Sequence, residues 1–194
     1  MTKQALSQYF SLNRRYSRSI NLERDFELPN TVLGYILTER AVDALRRIFA
    51  SITKSQSTRA WTLTGVYGTG KSAFAHYLSS LCAPVDDQML HYALEIAQNA
   101  LGADNAEYRA LETALPQQGL FRAIAVGQRE PLRYTIVRAL ERGANVFWRK
   151  GRKPAIARQI IDWAAEVEVD RATFTSRQVI TAVQELAEVA KTDV

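Results

Sequence analysis

The residues most able to do chemistry lie between Gly65 and Ser72, which fit the phosphate-binding pattern G-x-x-x-x-G-K-[ST]. The glycines let backbone amides approach a polyphosphate with no Cβ in the way. Lys71 can reach the β- and γ-phosphates, and the Ser72 hydroxyl can ligate a Mg²⁺ ion carried by a nucleotide. We therefore predict that phosphate is bound by Gly65, Gly68, Thr69, Gly70, Lys71, Ser72 and Ala73.

The residues on either side of this loop favour a strand before it and a helix after it. Residues 59–64 are apolar and β-prone, which is typical of a buried strand. After the loop, Phe74, Tyr77, Leu78 and Leu81 fall on one helical face. Residues 120–127 alternate and predict a second strand. The fold class predicted is α/β, a P-loop NTPase-like and helix-rich domain with a small, incomplete parallel sheet.

Further helices are predicted along the rest of the chain. An extended segment at 31–37 precedes a helix that Thr38 opens. Caps, stop signals and apolar stripes predict later helices from Asp86 or Asp87 to Gly102, at 105–115, from Pro131 to Leu140 with Gly143 as the stop, at 154–167 and at 176–191. We expect residues 1–30 to form a polar, irregular arm and residues 31–194 to form the nucleotide-binding domain.

Composition sets broad limits on the protein. The chain has 194 residues, 47% of them hydrophobic, with a formal net charge of +5, values that are ordinary for a globular protein. No apolar run reaches membrane-spanning length, so a cytoplasmic protein is expected. Cys82 stands alone, which favours a reducing compartment and excludes an internal disulfide. With Cys82, the distant His76 and His91 make no convincing zinc site.

The hydrolytic half of a P-loop enzyme is missing from the pattern. Such enzymes need an acidic residue at the end of a second strand to hold Mg²⁺ through water. Asp162 follows Ile160 and Ile161 but lies in a helical pattern. The domain is therefore predicted to be incomplete, with its sheet finished by residues 31–37 or by another chain. ATPase activity is expected only if further chain or a partner completes the site.

The order of an extended segment, a helix, a strand and a P-loop resembles the opening of AAA+-like and STAND-like ATPases. That resemblance implies ATP as the nucleotide, with Tyr35 and Ile36 bordering the adenine; a guanine-reading Asn-Lys-x-Asp motif does not occur in the chain. Residues 61–74, 121–132 and 179–191 are also similar to the start of large prokaryotic phage-defence ATPases of the BREX type. This second resemblance implies a role in antiviral defence, with a homo-oligomer or other defence-system subunits as partners.

Two alternatives remain open. Basic residues crowd 129–158, with Phe147 and Trp148 among them, and such a run can bind DNA or RNA. The chain could then be a nucleic-acid-binding or scaffolding module with nucleotide as a structural ligand. The length also fits a small-molecule kinase, in which the run from Arg142 to Lys153 would be a basic lid.

Overall fold

A computed structural model describes residues 20–53 and 59–170 of the chain. Every regular element in those residues is helical. The elements are α1 (Leu22–Asp25), a 3-10 turn (Pro29–Thr31), α2 (Glu39–Thr53), α3 (Lys71–Leu81), α4 (Gln88–Leu101), α5 (Ala106–Thr113), α6 (Leu132–Phe147) and α7, the helical residues 155–170. None of the helices in these ranges is both long enough and apolar enough to cross a membrane.

The predicted α/β fold with a parallel sheet is wrong for the part of the chain that the structure describes, which contains no strand. Neither residues 59–64 nor residues 120–127 join a ladder. Two strands alone make a marginal sheet, and a parallel sheet needs cover on both faces. Every residue from 59 to 70 is exposed, so the first segment lacks that cover. β-prone residue types therefore do not form a strand here.

The chain divides into two compact units. One consists of Met1–Leu81 with Gln88–Ala114, and the other of Cys82–Asp87 with Leu115–Val194. The two predicted strands fall in different units. The predicted division into an arm at 1–30 and a domain at 31–194 stays a prediction.

Helix α3 lies at the centre of the first unit. It packs against α1 and α4, and α4 in turn packs against α5 and the 3-10 turn. Apolar residues three and four positions apart supply the contact, because they share one helical face. The fully or nearly fully buried side chains of this core are Leu45, Phe74, Tyr77, Leu81, Met89, Ala93 and Ala97. Alanine at two positions of α4 lets neighbouring helices approach closely.

The ends of the helices in the first unit follow local capping chemistry. Gly102 has a φ of +91°, and its N–H donates to the carbonyl of Gln98 at 2.8 Å, which ends α4. The Asn105 side chain accepts hydrogen bonds from the N–H groups of Glu107 and Tyr108 and so caps α5. The predicted boundaries of α4 and the predicted start of α5 are confirmed, whereas α5 ends at Thr113, two residues before the predicted end.

The region before α2 differs from its prediction. Residues 31–37 were expected to be extended, but Thr31 ends the 3-10 turn and a further turn follows, in which the Tyr35 N–H donates to the Val32 carbonyl at 3.1 Å. Residues 20–30 of the expected irregular arm contain α1, with Asp25 and Phe26 buried. Residues 1–19 of the expected arm and the helix predicted at 176–191 lie outside the described residues.

The second unit is built on α6 and α7. Tyr134 and Val137 of α6 form a buried cluster with Ala164 and Val167 of α7. The start of α7 agrees with the helix predicted at 154–167. Helix α6, however, continues through Gly143, its expected stop, to Phe147.

Gly143 serves close packing and does not end α6. A Cβ at this position would lie 2.8 Å from the carbonyl oxygen of Arg122 and 2.9 Å from the ring of Phe121. Only glycine lets residues 121–122 approach the helix this closely. The predicted end of α6 is wrong because a glycine can either end a helix or allow a close packing contact, and the residue type alone does not distinguish the two.

The packing role of Gly143 predicts the effect of an alanine there. Alanine normally stabilises a helix interior by about 1 kcal/mol relative to glycine. We expect Gly143→Ala to destabilise the protein by about 1–3 kcal/mol instead, since the new methyl overpacks the contact. Denaturant unfolding measures the change. Gly127→Ala is the control, because a Cβ at Gly127 would meet no described atom within 4 Å; equal effects of the two variants would contradict the packing role.

Candidate functional site

The glycines of the predicted P-loop differ in what they contribute. Gly68 and Gly70 have φ values of +84° and +82°, a conformation that residues with a Cβ rarely adopt. A Cβ at either position would meet no described atom within 4 Å, so the space beside these glycines is open. At Gly65 a Cβ would lie 3.0 Å from Thr69 Oγ1, so this glycine is needed for close approach within the loop.

The loop is closed by its own side chains. Lys71 Nζ donates to the carbonyl oxygens of Gly65 at 2.9 Å and Val66 at 2.7 Å. Thr69 Oγ1 donates to the same Val66 carbonyl at 2.9 Å. The lysine therefore lies against the backbone of its own loop.

The loop leads directly into α3. The N–H of Phe74 donates to the carbonyl of Gly70 at 2.8 Å, which is the first hydrogen bond of the helix. Ser72 is exposed in the first turn, and Ala73 is half-buried behind it. The unpaired amides and the positive end of the helix dipole are thus presented beside the loop, the arrangement in which helices bind anions.

A cavity of about 370 Å³ joins the P-loop to the segment before α2. Its volume falls in the range of small-molecule pockets. Its lining residues are Tyr35, Ile36, Thr38, Arg40, Ala41, Ala44, Leu63, Thr64, Gly65, Thr69, Gly70, Lys71 and Phe74. The structure therefore brings the predicted base-contact residues and four of the predicted phosphate-contact residues to one space. Gly68, Ser72 and Ala73 are not among the lining residues.

Tyr35 is held in the cavity wall by Tyr77 of α3. The two rings stack with centroids 4.6 Å apart and planes 21° apart. Tyr77 is fully buried, and its hydroxyl donates to the Ala93 carbonyl at 2.9 Å. Burial raises the pKa of Tyr35 to about 12, so its phenol is neutral at physiological pH. Ile36, next in sequence, is 79% exposed at the cavity.

The charge of the cavity is positive. Among the described residues, its charged lining side chains are Arg40 and Lys71, and no carboxylate lines it. Arg40 was not predicted to be a site residue; in the sequence it is one of the first residues of the helix that Thr38 opens. The one sequence feature that could have indicated it is its position two residues after Thr38, in the first turn of the helix that follows Tyr35 and Ile36.

The basic residues at 129–158 are partly engaged within the second unit. Ion pairs join Arg133 to Asp170, Arg138 to Glu130 and Lys150 to Asp86. Phe147 and Trp148 pack with Phe121, with ring centroids 5.9 and 5.5 Å from that ring. These two rings are therefore partly buried at the C-terminal end of α6.

The other residues considered for chemistry are structural. His76 is buried, and its Nε2 lies 2.8 Å from Thr31 Oγ1. Burial raises the pKa of the Cys82 thiol to about 11, so little reactive thiolate exists at neutral pH. Within residues 20–53 and 59–170, no group of three or more His, Cys, Asp or Glu side chains could hold a metal ion.

Comparisons of the chain with protein-family models, curated proteins and solved structures found no match. The resemblance to AAA+-like and phage-defence ATPases therefore stays a prediction, and the function has to be inferred from the residues of the site.

Proposed function

We propose that the chain binds a nucleoside triphosphate, ATP with its Mg²⁺, in the cavity between the P-loop and the segment before α2. The observation that supports this proposal is the shared cavity: Tyr35 and Ile36 line it together with Gly65 and Lys71. Residues predicted to bind phosphate and residues predicted to contact a base thus line the same cavity, although about thirty positions separate them in sequence.

The phosphate end of this site is formed by the loop and the start of α3. Gly68 and Gly70 turn the backbone, Lys71 supplies a mobile charge, and the helix N-terminus supplies amide donors. Ser72, exposed in the first turn, would contribute one hydroxyl ligand to a Mg²⁺ held mainly by phosphates and water. Arg40 adds a second positive charge to the lining.

The base end is formed by Tyr35 and Ile36. The Tyr35 ring is fixed by its stack on Tyr77, so it offers a preformed apolar surface at little entropic cost. Ile36 extends this surface with an exposed side chain. A planar, largely apolar base fits such a wall, and the neutral phenol of Tyr35 adds no charge that would repel phosphate.

Binding without turnover is the proposed activity of this chain. Hydrolysis needs a carboxylate to orient water and hold the metal, and no described carboxylate lines the cavity. ATPase activity completed by further chain or by a partner, and a role in phage defence, stay predictions.

The two alternatives draw less support from the geometry. In a kinase the run from Arg142 to Lys153 would have to close as a lid, but its first six residues belong to α6, and Gly143 and Ala144 are buried there. For nucleic-acid binding, Phe147 and Trp148 are partly buried against Phe121, so less of their ring surface is open to bases than the sequence suggested.

The first test removes the P-loop charge. We expect Lys71→Ala to weaken ATP binding by about 2–4 kcal/mol, or roughly 30- to 1,000-fold in Kd, because a charged donor to phosphate is lost. Calorimetry with Mg²⁺ measures the Kd. The control is Lys150→Ala, which also removes one lysine charge but lies in the other unit. Unchanged affinity in Lys71→Ala would contradict the proposal.

The second test concerns the metal. ATP affinity is expected to be about tenfold higher in Mg²⁺ than in EDTA, a difference of about 1.4 kcal/mol. Ser72→Ala should abolish most of that difference, since the hydroxyl ligand is gone. Ser72→Thr keeps the hydroxyl and should preserve the difference. If Mg²⁺ raises the ATP affinity of Ser72→Ala as much as that of the unmodified protein, Ser72 does not ligate the ion.

The third test separates the base end from the phosphate end. We expect Tyr35→Ala to weaken ATP binding by about 1–3 kcal/mol, the usual contribution of a base stacked on an aromatic ring. Binding of inorganic triphosphate, which has no base, should stay the same. Tyr35→Phe retains the ring and should resemble the unmodified protein, with circular dichroism to verify folding. Equal losses for ATP and triphosphate would contradict a base-binding role.

A further inference from the structure

Two side chains of α3 contact the segment of residues 31–36. This segment ends with Tyr35 and Ile36, which form the base wall of the proposed site. The first is the stack of Tyr77 on Tyr35 described above. The second is made by the preceding residue, His76, whose Nε2 lies 2.8 Å from Thr31 Oγ1. His76 is 1% exposed, so this contact lies in the interior of the first unit. Thr31 ends the 3-10 turn, four residues before Tyr35.

The direction of the His76 hydrogen bond follows from counting protons. Thr31 Oγ1 also lies within hydrogen-bonding distance of two backbone carbonyls, those of Leu28 and of Asp25, the latter at 3.1 Å. Carbonyl oxygens only accept, so the single hydroxyl proton of Thr31 goes to them. The hydroxyl oxygen must then accept from His76, which places a proton on Nε2. The imidazole thus donates to a threonine that is itself fixed to the backbone.

The backbone between Thr31 and Tyr35 is itself held in place, so the Thr31 contact also restrains the position of Tyr35 at the cavity. Val32 is 1% exposed, and the Val32 carbonyl accepts the N–H of Tyr35 at 3.1 Å, which closes a tight turn. A segment held at Thr31, at Val32 and at the Tyr35 ring has little freedom to move relative to α3. Because α3 begins with Lys71, the same helix positions both ends of the proposed nucleotide site.

We propose that His76, through Thr31, is a positioning residue that sets the base wall relative to the P-loop and so favours ATP over a bare polyphosphate. This inference rests on the proposed function. His76 is not among the residues that line the cavity, and its hydrogen bond goes to Thr31, before Tyr35, so we expect its loss to leave the phosphate contacts intact. The base wall is then less tightly held, and we expect weaker binding only for ligands that carry a base.

The test compares two ligands across two variants of Thr31. Thr31→Val keeps the shape of the side chain and removes the hydroxyl, whereas Thr31→Ser keeps the hydroxyl. Calorimetry with Mg²⁺-ATP and with inorganic triphosphate gives both dissociation constants. We expect Thr31→Val to weaken ATP about fivefold, because the His76 contact to this segment is lost together with the hydroxyl's bonds to the backbone, with triphosphate unchanged. Thr31→Ser should retain the ATP affinity of the unmodified protein.

A combined variant tests whether the effect passes through Tyr35. In a Tyr35→Ala background there is no ring to position, so adding Thr31→Val should cause no further loss of ATP affinity. Fully additive losses would overturn the inference. Parallel weakening of ATP and triphosphate by Thr31→Val would also overturn it, because a general loss of structure does not distinguish the ligands. If the unmodified protein binds neither ligand, the proposed function itself fails; if it binds both and Thr31→Val changes nothing, only the positioning role fails.

Discussion

The burial of Tyr77 is the interaction on which the first unit depends. Its ring is fully enclosed, its hydroxyl is satisfied by the Ala93 carbonyl of α4, and its face supports the ring of Tyr35. A buried hydroxyl without a partner would cost stability, so the bond to Ala93 is required for the ring to lie there. That one side chain ties α3 to α4 on one side and to the cavity wall on the other. The P-loop, at the start of α3, is therefore anchored by helices.

The part of the site proposed to bind phosphate depends on residues that are close together in sequence. Left-handed glycines, a lysine and the first turn of a helix need only a fixed helix behind them. In the described residues that support comes from helix packing, without a sheet. Lys71 bonded to the carbonyls of Gly65 and Val66 keeps the loop ordered, and these exposed bonds are of a kind that phosphate oxygens can replace at modest cost.

Sequence patterns succeeded where a short stretch decides its own structure, as at the caps of Asn105 and Gly102 and along the apolar face of α3. They failed where two distant stretches decide the outcome together. Residues 59–64 have the composition of a strand, but a strand exists only when a neighbour pairs with it. Glycine is typical of a helix C-terminus, but Gly143 lies inside α6, where the Phe121 ring and the Arg122 backbone leave no room for a Cβ. Arg40 went unnoticed because nothing in its own neighbourhood marks it as part of a cavity.

The sequence by itself determined the P-loop with its glycines, lysine and serine, the helix that follows, and most helix boundaries, because those features depend on residues within a few positions of one another. It also suggested Tyr35 and Ile36, though only through a resemblance. The tertiary structure alone decided that these two residues share a cavity with Lys71, that Arg40 joins them, and that His76 and Tyr77 contact Thr31 and Tyr35. The physical reason is that burial and ring stacking are made between segments that lie far apart along the chain, and no local pattern encodes which segments meet.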